Sequence, residues 1–369
     1  MRQSVRVLLT VLIWGTPGQP VQAQVPSTGT VGPWQVGFAL VQAADSTRPM
    51  RTGDARPLDI GVWYPARATP QPRLTYADYF LVSATRDELE KYSQFLISHG
   101  AREVALTAWL AAPMMAARDV AAAGQRFPLI LIAQGNGQTI SDQAPLAEFL
   151  ASHGYVVATT PSPMRITGPL TDEAQVGMRA AEQAVDLEKA AEELLRRRSD
   201  IASDLIGVVG HSFGARAGLL MLMHDPRVRA LVSLDGGIGT ATGRSSLEAV
   251  AGFRVAAVRA PILHFYEELD AYMTPDFSLL RSFTGTERWV RRAPLRHHLF
   301  TSLGAASGAH QDLRAALAAS DTTAAAYTAV VEETRGFLDA FLKRDPAARA
   351  RLNGPASRRP LGPLERLED

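Results

Sequence analysis

The sequence predicts an α/β fold: a mostly parallel, doubly wound sheet with helices on both faces and a helical insertion. Three observations predict it. From Phe127 onward, short apolar runs alternate with helix-like segments, the pattern of repeated βαβ units. The runs Leu129–Ala133 and Leu205–Val209 are apolar without alternation, as strands buried on both faces must be. The second run continues through Gly210-His211-Ser212-Phe213-Gly214 into a helix-like stretch, Ala215–Met223: a strand, a tight turn and a helix in immediate succession.

Taken in order, the chain begins with Met1-Arg2, an apolar run Val5–Trp14 and a small-residue end at Val21-Gln22-Ala23. A basic start, a short apolar core and a small-residue cleavage site make residues 1–23 a signal peptide, with export to the periplasm or the medium as the expectation. The run is too short to span a bilayer, so no stable membrane insertion is expected. Gln24–Pro33, polar and rich in Gly and Pro, is a flexible lead-in. Trp34–Ala43 and Leu58–Tyr64 are strands, the second alternating with period two and stopping at Pro65; together they make an antiparallel edge. Ser83–Ala123 is helix-like in two pieces and falls between strand signals. That placement fits an inserted cap, and equally plain scaffold packing. Then follow strand Leu129–Ala133, helix Ala144–Ser152, strand Tyr155–Thr159 and a long amphipathic helix Gln175–Arg198 with Leu187, Ala190, Ala191 and Leu194 on one stripe. Strands Arg229–Leu234, Ile262–Tyr266 and Arg288–Arg292 and a helix Ala324–Leu342 complete the domain, which spans residues 24–342. The tail 343–369, rich in Arg, Pro and Glu, is expected to be poorly ordered.

Composition narrows the function. A 369-residue chain, 46% hydrophobic and 20% charged, holds enough apolar residues for a large core without disulfide support. The net charge is +1, and removing residues 1–23, which carry Arg2 and Arg6 and no acid, turns it to −1; neither value favours nucleic acid. The absence of cysteine excludes disulfides, thiolate metal sites and a cysteine nucleophile. No metal site and no nucleotide-binding fingerprint stands out, and no cofactor is expected.

The chemistry converges on Ser212. The G-x-S-x-G turn holds its serine in a strained conformation at a helix N-terminus, and Gly210 and Gly214 leave room because neither has a Cβ. A serine hydroxyl is a weak nucleophile; it needs a base, an acid to orient the base, and donors for the oxyanion. In a parallel sheet these groups come from loops at the carboxyl ends of later strands, in the chain order Ser, acid, His. Two acids qualify. Asp235 ends the strand Arg229–Leu234 directly, and Asp270 lies several residues beyond Tyr266 in an acidic loop. Asp235 is the stronger by position, although an Asp before Gly236-Gly237 also makes an ordinary turn. His297 and His298 follow the last strand, where the base must return, and order alone does not choose between them. His264 lies inside a strand as a packed residue, and His310 at a Gly/Ala-rich helix start. The backbone N–H of Phe213 supplies one oxyanion donor. The N–H of Asn136, in the Gly135-Asn136-Gly137 loop, supplies the other.

Pro128–Gly137, Gly210–Gly214, Leu234-Asp235, His297 with Phe300, and Arg56-Pro57 to Trp63-Tyr64-Pro65 together resemble the platelet-activating factor acetylhydrolase group of α/β-hydrolases, whose exported bacterial relatives are labelled dienelactone hydrolase-like. The resemblance runs over roughly residues 30–342. It implies an α/β-hydrolase fold and a serine esterase. It also implies Asp235 as the acid, 23 residues after Ser212, and His297 as the base, with Phe300 three residues on. The family's oxyanion loop usually reads His-Gly where this chain has Gln134-Gly135, and its lipid-surface helices have no match here. The expected activity is hydrolysis of short-chain or lipid-like esters through an acyl-enzyme, with a small-molecule ester as partner. A dienelactone hydrolase with a cysteine nucleophile is excluded. The alternatives are an exported binding protein with this fold, or an acyltransferase or peptidase using the same three residues.

Overall fold

The computed structural model describes residues 29–168, 170, 172–270, 273–309, 311–353 and 360–368. The expected signal peptide, the first half of the lead-in and His310 lie outside the described residues. The first part of the chain forms strands β1 (Gln35–Asp45), β2 (Arg56–Ala66) and β3 (Arg73–Thr75), helices α1 (Tyr76–Ser83), α2 (Arg86–Ser98) and α3 (Glu103–Leu110), and strand β4 (Pro113–Arg118). The regular part follows: β5 (Phe127–Ala133), α4 (Ala144–Ser152), β6 (Val156–Thr159), α5 (Met164–Thr167), α6 (Glu173–Arg197), β7 (Ile201–His211), α7 (Gly214–His224), β8 (Val228–Leu234), α8 (Thr242–Glu248), β9 (Ile262–Tyr266), α9 (Ser278–Arg281) and β10 (Arg288–Arg292). Helices α10 (Ser302–Ala306), α11 (Gln311–Ala316), α12 (Thr323–Phe341) and α13 (Pro346–Leu352) and strand β11 (Leu364–Arg366) close the chain.

The strands form one sheet in the order β11-β10-β9-β8-β7-β5-β6-β2-β1-β4-β3. The centre, from β6 through β5 and β7 to β10, is parallel; β2 runs antiparallel to both β1 and β6. Unbroken apolar strands make this a two-faced core. Along β5, Leu129, Leu131 and Ala133 pack with α6 and α7 on one face, while Ile130 and Ile132 pack with α4 and α12 on the other. Each of these five side chains is at most 1% exposed. Burial of a Leu or Ile side chain stabilises by about 1.5–3 kcal/mol, so both faces hold the sheet rigid beneath the loops at its carboxyl edge.

Three expectations are corrected. The segment 83–123 is not helical throughout: after α2 and α3 it forms β4, which pairs parallel to β1. Helix-forming Met and Ala residues are overridden here by tertiary contacts, because the Glu148 carboxylate on α4 accepts the backbone N–H groups of Met115 and Ala116 at 2.8 Å each. Strand β2 does not stop at Pro65 but runs to Ala66. The Pro65 carbonyl faces Ala123 rather than β1, so the missing N–H on the same side removes no bond from the β1 ladder. The described parts of the tail form elements as well. Asp345 caps α13, accepting from the N–H groups of Ala347 and Ala348, and Pro346 sits at its first position. Strand β11 pairs antiparallel with β10 and covers the edge that would leave Trp289 beside water.

Candidate active site

The turn after β7 is set by close packing. A Cβ on Gly210 would lie 2.5 Å from the Cα of Ala215, and one on Gly214 would lie 2.1 Å from the carbonyl oxygen of Ala133. Only glycine lets the strand meet α7 this closely. Ser212 between them has φ 54°, a left-handed conformation that costs an L-residue about 1–2 kcal/mol. The strain is held by neighbours: the Ser212 N–H donates to the carbonyl of Leu234 at 3.1 Å, and its carbonyl accepts from Gly237 at 3.0 Å. Asp235, at the end of the adjacent β8, is also left-handed, with φ 44°. Its N–H is tied to the carbonyl of Phe265 at 2.9 Å.

Three of the expected side chains meet. Ser212 Oγ lies 2.8 Å from His297 Nε2, and His297 Nδ1 lies 2.5 Å from Asp235 Oδ2. The second carboxylate oxygen of Asp235 accepts the backbone N–H of Glu267 at 3.2 Å. With Nδ1 donating to the carboxylate, Nε2 is the lone-pair nitrogen and accepts the serine proton. Asp235 is 2% exposed, and this burial pushes its carboxyl above the ordinary carboxylate range, opposed by the hydrogen bond from His297.

The two alternates are not in this chain. Asp270 pairs with the Arg296 guanidinium and accepts the backbone N–H of His297 at 3.4 Å, so it braces the loop rather than the imidazole. His298 turns away, its Nε2 2.8 Å from the carbonyl of Leu317. His264 is a packed residue as expected, 1% exposed and bonded through Nδ1 to Ser233 Oγ at 2.9 Å. The N–H groups of Phe213 and Asn136 make no hydrogen bond among the described residues, whereas Gly135 N–H donates to Gln138 Oε1 (2.5 Å) and Gly137 N–H to Ser162 Oγ (3.3 Å). The Asn136 N–H is thus left available between two anchored neighbours.

Sequence reasoning missed the residues that hold this arrangement. Gln138 contacts His211 Nδ1 at 2.9 Å, and His211 Nε2 lies 3.2 Å from the carbonyl oxygen of His297. Gln143, buried in the turn before α4, donates to the carbonyl of Phe300 at 3.1 Å. Two glutamines near a predicted oxyanion loop carry no spacing signal; only the converging loops bring them to the segment that carries His297. Among the described residues, no cluster of His, Asp and Glu could hold a metal ion, and no helix is long and apolar enough to cross a membrane.

No protein-family model and no curated protein matches the chain. Among solved structures, it is similar to a ferulic acid esterase from Streptomyces cinnamoneus, with a TM-score of 0.66 and 18% identity over 93% of this chain and 99% of that one. At that identity the likeness speaks for the fold, and with the sheet order and the turn after β7 it makes this an α/β-hydrolase fold.

Proposed function

We propose that the protein is a serine carboxylic-ester hydrolase that works through an acyl-enzyme. One observation carries the reading: Ser212 Oγ, the His297 imidazole and the Asp235 carboxylate form a continuous hydrogen-bonded chain from three separate loops. In the proposed reaction, Ser212 Oγ attacks the ester carbonyl while His297 Nε2 takes its proton. Asp235 holds the imidazole and stabilises the imidazolium. The N–H groups of Phe213 and Asn136 receive the oxyanion. His297 then protonates the departing alcohol, and a water molecule, deprotonated by the same nitrogen, releases the acid. Every step uses protein groups and water.

The ferulic acid esterase neighbour and the resemblance to the platelet-activating factor acetylhydrolase group both support an ester substrate; they differ in the acyl group, aromatic in one and acetyl in the other. Export follows from the reading of residues 1–23 and is proposed with it. A fluorophosphonate probe should label the protein at Ser212, and p-nitrophenyl esters of two to sixteen carbons, run beside methyl ferulate, should define the acyl preference. Ser212→Ala should abolish both labelling and turnover. A wild-type protein that neither labels nor turns over any ester would instead be a binding protein.

A further inference from the structure

Between the loop that offers Asn136 and the loop that carries His297 lies an uninterrupted line of hydrogen bonds. Its atom roles follow from its ends. The Gly135 N–H is only a donor, so the Gln138 atom 2.5 Å from it is the amide oxygen. His211 Nδ1 lies 2.9 Å from the Gln138 amide nitrogen and 3.2 Å from its oxygen; with the oxygen already held by the Gly135 N–H, the nearer nitrogen is the donor and Nδ1 the acceptor. The remaining proton sits on Nε2, 3.2 Å from the His297 carbonyl, which is only an acceptor. The His211 ring also lies over the His297 ring, centroids 5.0 Å apart at 29°. His211 is 3% exposed, and burial first, with the charge of His297 second, lowers its pKa to about 3. It therefore stays neutral at ordinary pH and keeps the tautomer that both neighbours require.

We propose that Gln138 is a positioning residue that acts through His211 to hold the Gly135–Gly137 oxyanion loop and the His297 loop in one fixed relation. The proposal rests on the hydrolase reading and deepens it. Donors and base must sit within about 1 Å of their working positions for the acyl transfer to proceed. In this chain neither loop is referenced to the other by strand pairing. Both are referenced to the residue preceding Ser212, with Gln138 as the clamp on one side and the His297 carbonyl on the other. The clamp touches no reacting atom, so its removal acts on geometry alone.

The test uses the full chain. Gln138→Met keeps the length of the side chain and removes both bonds. Its kcat on a p-nitrophenyl ester should fall 10- to 100-fold, with KM changed less than threefold and the unfolding midpoint retained. Gln138→Glu keeps an acceptor for Gly135 but offers His211 Nδ1 no donor. Imidazole nitrogen NMR shifts should show His211 as the neutral Nε2–H form in the wild type, and that signature should disappear in Gln138→Glu. A Gln138→Met enzyme with kcat within twofold of wild type, or a His211 tautomer unchanged in both variants, overturns the proposal. If the wild type neither labels nor turns over esters, the hydrolase reading fails instead; the His211 signature still decides whether the clamp exists.

Discussion

Ser212 and Asp235 are both held at positive φ, on adjacent strand ends, each by a hydrogen bond from its N–H to the next strand along, Ser212 to Leu234 on β8 and Asp235 to Phe265 on β9. The strain places two short side chains above the sheet edge, where a longer loop would let them drift. The two aspartates near His297 illustrate how chemistry separates by position. Asp235→Asn replaces the acceptor at His297 Nδ1 with a group that favours the wrong tautomer, and kcat should fall on the order of 10⁴-fold. Asp270→Asn removes only the brace to Arg296 and the His297 backbone, and kcat should stay within about tenfold. Steady-state kinetics of the two variants, with their fluorophosphonate labelling rates, check the assignment; equal losses would contradict it. Ser212 was legible because G-x-S-x-G is a local pattern. His297 and His298 stood equal in order, and a hydrogen bond from His298 to Leu317, far along the chain, is what separates them.

At the level of elements, the insertion is fastened by one carboxylate. Glu148 on α4 accepts from the Tyr79 hydroxyl at 2.6 Å and from the N–H groups of Met115 and Ala116, and it is 2% exposed. Tyr79 in turn accepts from Trp63 Nε1 at 2.9 Å, and Tyr76 meets Ser302 at 2.7 Å, so α1 is pinned to the central sheet and to α10. Glu148→Gln leaves an amide NH₂ among donors and should cost about 2–4 kcal/mol, read as a shift in the urea midpoint. The C-terminal strand makes a separate prediction. Leu367 N–H donates to the Arg288 carbonyl at 2.9 Å, and Gly362 N–H to that of Arg292 at 2.8 Å. Truncation after Asn353 should uncover β10, promote concentration-dependent aggregation in light scattering, and leave kcat/KM of the folded fraction within about threefold. Full solubility with an unchanged midpoint would contradict the covering role. Composition alone hid this strand: Arg and Pro made the tail look unstructured, while three residues of pairing and two buried leucines, Leu361 and Leu367, suffice to dock it.

At the scale of the whole molecule, two of the described histidines are buried in neutral form. His211 and His264 are both lowered from 6.5 to about 3, in each case by burial first. Below pH 6.5 the unfolded chain takes up these protons and the folded chain does not, so stability falls as pH falls between 6.5 and about 3. By pH 5 the loss is about 2 kcal/mol per histidine. Buried Asp142 and Glu148, raised by desolvation, act in the opposite direction where they protonate, which makes the difference between variants the cleaner measure. His264→Phe should lose stability at pH 7 through the unpaired Ser233 hydroxyl, yet show a shallower fall in unfolding temperature from pH 7 to pH 5. Parallel wild-type and variant curves would contradict neutral burial of His264.

The sequence by itself determined the fold class, the parallel core and the nucleophile turn, because apolar periodicity and glycine placement act over a few residues. It also narrowed the acid and base to two choices each. Only the tertiary structure decided that β4 is a strand, that the tail closes the sheet, and that Gln138 and His211 join the two loops around Ser212. Those outcomes depend on buried hydrogen bonds between residues distant in the chain, and such bonds leave no periodic trace in the order of amino acids.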